Sequence, residues 1–123
     1  MAHVGKVHLL ITFVAPAANV AEIDRLVASH GSWMAETHQR SGPKALLSYD
    51  FSKGPELSNP LDPSSASTGT RYVLSEVYES VAGIQDHWAQ AQKSWGDFAA
   101  MVGTIGKCNP QTLHGGAIAQ SLW

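Results

Sequence analysis

Cysteine and charge are both scarce in this 123-residue chain. Lys and Arg number 8 and Asp and Glu number 10, so 15% of the residues are charged, against about 25% in an average soluble domain. The net charge of −2 leaves no basic stripe to neutralise phosphates, which argues against nucleic acid as a partner. The single cysteine, Cys108, has no second thiol for an intramolecular disulfide or a zinc knuckle. A surface this poor in charge is either exposed as a largely uncharged surface or partly covered by a partner.

Long apolar runs are missing as well. The most apolar stretch, residues 7–18, contains His8, Thr12 and Pro16 and falls short of the ~18 apolar residues that a membrane helix needs. The first residues are too few and too polar for a secretory signal. We therefore expect a cytoplasmic protein with no membrane partner. The length corresponds to about one domain, spanning residues 1–123.

The apolar pattern predicts four strands and two helices. Alternating or β-branched segments indicate strands, and apolar residues at three- and four-residue steps indicate helices. The strands are predicted at residues 7–14, 45–51, 71–78 and 112–119, and the last of these is weaker because Gly115-Gly116 interrupts it. The first helix lies between the first two strands, from a capping box at Asn19 to about His38. The second follows the third strand, with Ser80 as its cap and an apolar stripe that reaches Val102. Residues 52–70 have loop composition and predict a loop insertion.

This order of elements matches the ferredoxin-like βαββαβ pattern. An α+β fold is expected, with both helices on one face of a four-stranded antiparallel sheet. The first strand is apolar on both sides, with Leu9 and Phe13 on one face and Leu10 on the other. The helix-free face would meet water in a monomer, so a homodimer that packs two sheets face to face is the simplest way to cover it.

The segment Glu76-Val77-Tyr78-Glu79-Ser80, followed by His87-Trp88, resembles a stretch of the antibiotic-biosynthesis monooxygenase family in the dimeric α/β-barrel superfamily. That family typically ends its third strand with Glu-x-Tyr-x-(Ser/Asp) and places a His early in its second helix. The resemblance covers about residues 6–105 and implies a small homodimer. Many members oxidise quinols or polyphenols with molecular oxygen and without metal or flavin, whereas others degrade haem, isomerise small ketones or have no assigned activity.

The chain departs from the family at several positions. Gly42 and Tyr49 are farther apart than the family's Gly-x-x-x-Tyr stretch before its second strand, and the 52–70 segment exceeds the usual hairpin. In the haem-degrading branch a Trp occupies the position of His87, and a His follows where this chain has Asp97. Haem degradation is therefore disfavoured.

His87 is the first candidate for chemistry, because a His both accepts and donates a proton near neutral pH; otherwise it is a polar residue at the edge of the helix stripe that hydrogen-bonds a backbone carbonyl. Tyr78 is the second catalytic candidate, through a phenol that holds a substrate oxygen; otherwise it is a core tyrosine. Glu76 lies on the same strand face as Tyr78. Two roles are considered for Glu76: it orients a His, or it forms a structural ion pair with Arg71. The ion pair is the favoured interpretation.

Aromatic residues complete the candidate binding site. Trp33, Trp88 and Trp95 lie on the helix stripes that face the sheet, where they either wall a pocket for a planar substrate or fill the core, the commoner role of such stripes. Tyr49 is a second candidate for holding a substrate oxygen. A small-molecule substrate is thus the expected partner besides the second copy of the chain.

No metal or other cofactor is expected. His30 and His38 share a face of the first helix, but two helical turns separate them by roughly 12 Å, too far for one ion. The chain also has no Gly-rich nucleotide motif and no Gly-x-Ser-x-Gly elbow. The sequence therefore predicts a cofactor-independent monooxygenase-like enzyme for a small aromatic or quinol-type substrate. The alternative is a non-catalytic dimeric small-molecule-binding or stress-associated module of the same fold.

Overall fold

The computed structural model describes residues 2–123, and this part of the chain forms an α+β structure as predicted. Its elements are β1 (Val7–Ala15), a short 3-10 helix (Ala17–Asn19), α1 (Val20–Thr37), β2 (Leu46–Leu57), β3 (Ser67–Tyr78), α2 (Val81–Ser94), α3 (Phe98–Ile105) and β4 (Gln111–Ala117). No helix in this part of the chain has the length and apolar character needed to cross a membrane.

The four strands form one antiparallel sheet in the order β2-β3-β1-β4. The predicted four-stranded antiparallel sheet is confirmed, and the arrangement is consistent with a ferredoxin-like fold. Side chains that share a face line up in rows across the strands. One row, on the side covered by the helices, contains Tyr49, Glu76, Leu9 and His114.

The helices bury their apolar stripes against this face of the sheet. The largest buried cluster joins all three helices through Leu26, Trp33, Met34, Ala91, Trp95 and Met101. A second cluster joins α1 to the sheet, where Phe13 stacks on Tyr72 at 5.2 Å. Both clusters, and therefore the core, lie between the helices and one face of the sheet. Each fully buried apolar side chain of this kind contributes about 1.5–3 kcal/mol to the stability of the fold.

The loop predicted at residues 52–70 is wrong for most of its length. β2 continues to Leu57 and β3 begins at Ser67, so only residues 58–66 connect the two strands. Arg71 donates two hydrogen bonds of 2.8 Å to Glu56 across the extended ladder. Backbone pairing and this bidentate ion pair outweigh the poor strand propensity of the Gly, Pro and Ser residues in the segment.

The helices begin where predicted, but without the predicted caps. Within the described part of the chain, neither Asn19 nor Ser80 makes a side-chain hydrogen bond to its own helix. Glu22 forms an ion pair with Arg25, and Ser80 Oγ donates to the Pro43 carbonyl at 2.6 Å. The Ser80 hydroxyl therefore joins the start of α2 to the segment before β2.

The second predicted helix is two helices. α2 ends at Ser94 and α3 begins at Phe98, with Gly96 between them. The apolar spacing continues across the break, which is why periodicity alone predicted one helix. Gly lowers helix stability by about 1 kcal/mol relative to Ala, and the break lets α3 turn its own apolar face to the core.

The irregularity anticipated at Gly115-Gly116 is a β-bulge. His8 pairs with Gly116 and Leu9 pairs with His114, so Gly115 is an extra residue in β4. Its φ of +83° is one that residues with a side chain rarely adopt.

Candidate active site

Three ionisable side chains from three different elements meet inside the core. They are His30 from α1, Glu76 from β3 and His87 from α2, and each is at most 4% exposed. One ligand atom from each lies within 4.8 Å of those from the other two. Each occupies a position in the apolar stripe of its element, so packing of the stripes onto one another carries the three polar groups to one place.

Glu76 is the least satisfied of the three. Its Oε1 accepts a hydrogen bond of 2.5 Å from the Tyr78 hydroxyl, whereas its Oε2 has no hydrogen-bond partner among residues 2–123. Oε2 lies 4.0 Å from His30 Nε2, and Oε1 lies 3.8 Å from His87 Nδ1. Burial raises the pKa of Glu76 to about 7, against the opposing effect of the Tyr78 hydrogen bond. The carboxyl group therefore changes its protonation near neutral pH.

The two histidines are neutral at the same pH. Burial lowers the pKa of His30 to about 4 and that of His87 to about 3, with neighbouring imidazoles contributing in the same direction. A hydrogen bond of 2.7 Å joins His30 Nδ1 to the Tyr49 hydroxyl, and one of 2.9 Å joins His87 Nδ1 to His38 Nε2. These partners fix the orientation of both rings, and each neutral ring offers one lone pair.

An apolar cavity of about 240 Å³ lies beside the cluster, between α2, α3 and the sheet. Its walls are aromatic and aliphatic side chains, with Trp88, Trp95 and Phe98 among them. His30 and His87 are the only ionisable groups among the described residues that line it. Val102, at the rim, is 52% exposed. The cavity suits a small planar molecule that presents one polar edge to the histidines.

The structure divides the candidate residues of the sequence into two groups. His87, Trp88 and Trp95 line the cavity. Tyr78, Tyr49, Glu76 and Trp33 are not among its lining residues. Those four support the site from outside the wall: Tyr78 holds Glu76, Tyr49 holds His30, and Trp33 stacks on Trp95 at a ring separation of 5.7 Å.

The ion pair favoured for Glu76 and Arg71 is wrong. Glu76 lies on the helix side of β3, and Arg71, an odd number of residues away, lies on the opposite face. Arg71 instead binds Glu56 in the neighbouring strand. Glu76 is therefore a buried carboxyl group surrounded by two histidines and a tyrosine.

Sequence reasoning missed His30 and His38 as parts of this site, because it compared them only with each other along one helix. The sequence feature that could have identified them is an ionisable residue that takes the place of an apolar one in the buried stripe of a helix or strand, with apolar residues on either side of it in that stripe. His30 between Leu26 and Trp33 has this character, and so does Glu76 in β3. The same signal at His87 would have suggested that the three meet.

Comparison of the chain with models of protein families, with curated proteins and with solved structures found no match.

Proposed function

We propose that this chain is a monooxygenase-like enzyme that acts on a small aromatic or quinol-type substrate in the cavity and requires no cofactor for that reaction. The observation that carries the proposal is the cavity itself, an apolar space of about 240 Å³ with two neutral histidines as its ionisable groups. Apolar walls with a few convergent polar groups suit a planar substrate. The resemblance of residues 76–88 to the antibiotic-biosynthesis monooxygenase family supports the same class of reaction.

In this proposal His87 accepts a proton from a substrate hydroxyl group. Burial makes the resulting imidazolium costly, as the lowered pKa of His87 shows. The Glu76 carboxylate, 3.8 Å from His87 Nδ1, offsets that cost when it is ionised. With a pKa of about 7, Glu76 is ionised in a substantial fraction of molecules at neutral pH. Tyr78 and Tyr49 act through Glu76 and His30, as positioning residues.

Removal of this proton makes the substrate a better electron donor to molecular oxygen. In the overall reaction the substrate supplies all four electrons that reduce molecular oxygen. Two accompany the oxygen atom that enters the product, and two reduce the other oxygen atom, which leaves as water with two substrate hydrogens. Trp88 and Trp95 hold the substrate ring in the cavity, and the apolar walls exclude bulk water from the reacting atoms.

We also propose that two copies form the dimeric α/β barrel of that superfamily through their helix-free sheet faces. Leu10, Val14 and Val73 are only partly buried on this face, and Leu113 is 50% exposed. A second sheet packed against them would bury these side chains. This arrangement would place the catalytic cavity on the outer, helical side of each protomer.

Oxygen uptake with a panel of quinols tests the enzyme proposal. We expect His87→Gln, which keeps side-chain volume but removes the base, to lower kcat by about 10²–10⁴-fold. His3→Gln is the matched control, because His3 precedes β1 and lies neither in the cavity wall nor on the sheet face proposed for the dimer, and it should keep the parent rate. An equal rate in His87→Gln and the parent would remove His87 from the mechanism. Substrates that quench Trp88 and Trp95 fluorescence but consume no oxygen would favour the non-catalytic binding module.

A further inference from the structure

We propose that His30, Glu76 and His87 form a site for one divalent first-row transition-metal ion, with Zn²⁺ and Fe²⁺ as the best-suited ions. Two imidazoles and one carboxylate are a ligand set that such ions favour. The three come from α1, β3 and α2, so the fold brings them together. The inference goes beyond the proposed reaction and does not depend on it.

The separations of the ligand atoms suit an ion after a small closure. Metal bonds of about 2.0–2.2 Å place neighbouring ligand atoms about 3.0–3.6 Å apart. His30 Nε2 lies 4.0 Å from Glu76 Oε2, and His87 Nδ1 lies 3.8 Å from Glu76 Oε1. The two separations run to different oxygens of Glu76, and one ligand atom from each of the three side chains lies within 4.8 Å of those from the other two. Binding of one ion therefore requires side-chain rotations that bring the three ligand atoms closer together.

The surroundings of Glu76 Oε2 independently point to a cation. It is fully buried and has no hydrogen-bond partner in the described chain. An unpaired buried carboxylate is costly, and a dication within bonding distance removes that cost.

His30 and Glu76 are each oriented by a hydrogen bond from outside the set that leaves a ligand atom free. With Nδ1–H of His30 donating to the Tyr49 hydroxyl, Nε2 carries the lone pair for the ion. Tyr78 holds Glu76 at Oε1 and leaves Oε2 for the ion. His87 Nδ1, the atom that faces Glu76, is hydrogen-bonded to His38 Nε2, so an ion bound to Nδ1 would replace that hydrogen bond. Metal-ligating histidines and carboxylates are commonly supported in this way.

Three protein ligands leave a coordination position open. His30 and His87, but not Glu76, also line the apolar cavity. The ion would occupy the lone pairs that the proposed proton transfer uses, so a bound ion would inhibit that reaction. Metal binding is measured without turnover, and its failure is therefore distinct from a failure of the proposed reaction.

Titration of the chelator-treated full chain with Co²⁺, followed by displacement with Zn²⁺, tests the site. We expect visible Co²⁺ absorption that saturates at one ion per chain and disappears on addition of Zn²⁺. Zn²⁺ should also raise the melting temperature, since a ligand that binds the folded state stabilises it. No absorption and no thermal shift in the parent would overturn the proposal.

Variants locate the ion. Glu76→Gln should weaken Co²⁺ binding by at least about 100-fold, and Tyr49→Phe, which keeps the ring but loses the hydroxyl, by about 10–100-fold. His3→Gln removes a histidine from the segment that precedes β1 and should bind as the parent does. If Glu76→Gln does not fold, Tyr49→Phe decides the question. Unchanged affinity in the folded variants would place the ion elsewhere and overturn the proposal.

Discussion

Glu76 occupies a position of β3 where the alternating pattern places apolar side chains. Its neighbours on the same face, Leu74 and Tyr78, are both buried. Burying a carboxyl group is tolerated when it is neutral or paired. The raised pKa of Glu76 shows that the folded chain holds a proton there that the unfolded chain releases near its ordinary pKa of 4.5. Folding stability is therefore coupled to pH at this residue.

Replacing this carboxyl group with an amide gives a prediction with a defined sign. Between pH 4.5 and about 7 the folded state binds one more proton at Glu76 than the unfolded state. This group's contribution to stability therefore falls as pH rises. The free energy of unfolding of Glu76→Gln relative to the parent should rise from pH 5 to pH 7, by up to about 1.4 kcal/mol per pH unit. Urea denaturation at pH 5, 6 and 7 measures it.

Glu36→Gln is the control for this comparison, since Glu36 is exposed on α1. Any general effect of removing a negative charge appears in both variants. His30 and His87 have lowered pKa values and make stability rise with pH in the parent and in the variant alike. Stability curves of the parent and Glu76→Gln that run parallel would contradict the assigned burial of the carboxyl group.

Three tryptophans in and around the apolar site each donate a hydrogen bond from the indole N–H group. Trp33 Nε1 donates to Ser94 Oγ at 3.2 Å, and Trp95 Nε1 donates to Ser29 Oγ at 3.0 Å. Trp88 Nε1 donates to His114 Nε2 at 2.8 Å. Each ring is thereby held at a fixed angle, which leaves the faces of Trp88 and Trp95 to the cavity without an unpaired N–H group.

At the scale of elements, periodicity predicted what depends on local pattern. The stripe in residues 20–37 predicted α1, β-branched and aromatic residues predicted β1, and alternation predicted the last part of β3. The break at Gly96 and the extension of the β2–β3 hairpin were missed because each depends on contacts with other elements. The approach of His30 to Glu76 depends on where α1 crosses the sheet. The apolar pattern within α1 holds no information about that position. His87 was found because the resemblance placed it, and periodicity placed it beside the stripe.

The approach of α2 to β3 depends on Gly83. A Cβ atom at this position would lie 2.6 Å from Tyr78 Cδ1 and 3.0 Å from the Lys44 carbonyl oxygen. Gly83→Ala must therefore push the Tyr78 ring or the start of α2, although Ala is the better helix former. We expect a loss of about 1–3 kcal/mol in the free energy of unfolding, the usual cost of overpacking, measured by chemical denaturation.

Gly103→Ala is the matched control within another helix. A Cβ atom at Gly103, in α3, meets nothing within 4 Å. Helix propensity alone then acts, and this substitution should stabilise the protein by about 0.5–1 kcal/mol. Effects of the same sign at both glycines would show that close packing of α2 on Tyr78 does not decide the outcome.

At the scale of the whole molecule, the two faces of the sheet differ in how they are covered. The helices bury one face, on which Leu9 and Phe13 are at most 1% exposed. The opposite face carries a row formed by Asp50, Ser75, Leu10 and Leu113. Leu10 and Leu113 of this row are partly exposed to solvent in a single chain. This agrees with the low content of charged residues, 15%, which leaves part of the surface apolar. Dimerisation through this face would bury them.

Placing a charge in the middle of that face tests the homodimer. The parent should sediment at about twice its chain mass of 13.1 kDa at micromolar concentration. Leu10→Asp should shift the mass to that of one chain, because a carboxylate would have to be buried between two sheets without a partner. Val81→Asp is the control: Val81 is exposed at the first residue of α2, where a negative charge favours the helix, and this variant should stay dimeric. A parent that sediments near 13.1 kDa would contradict the dimer and leave the helix-free face in contact with water.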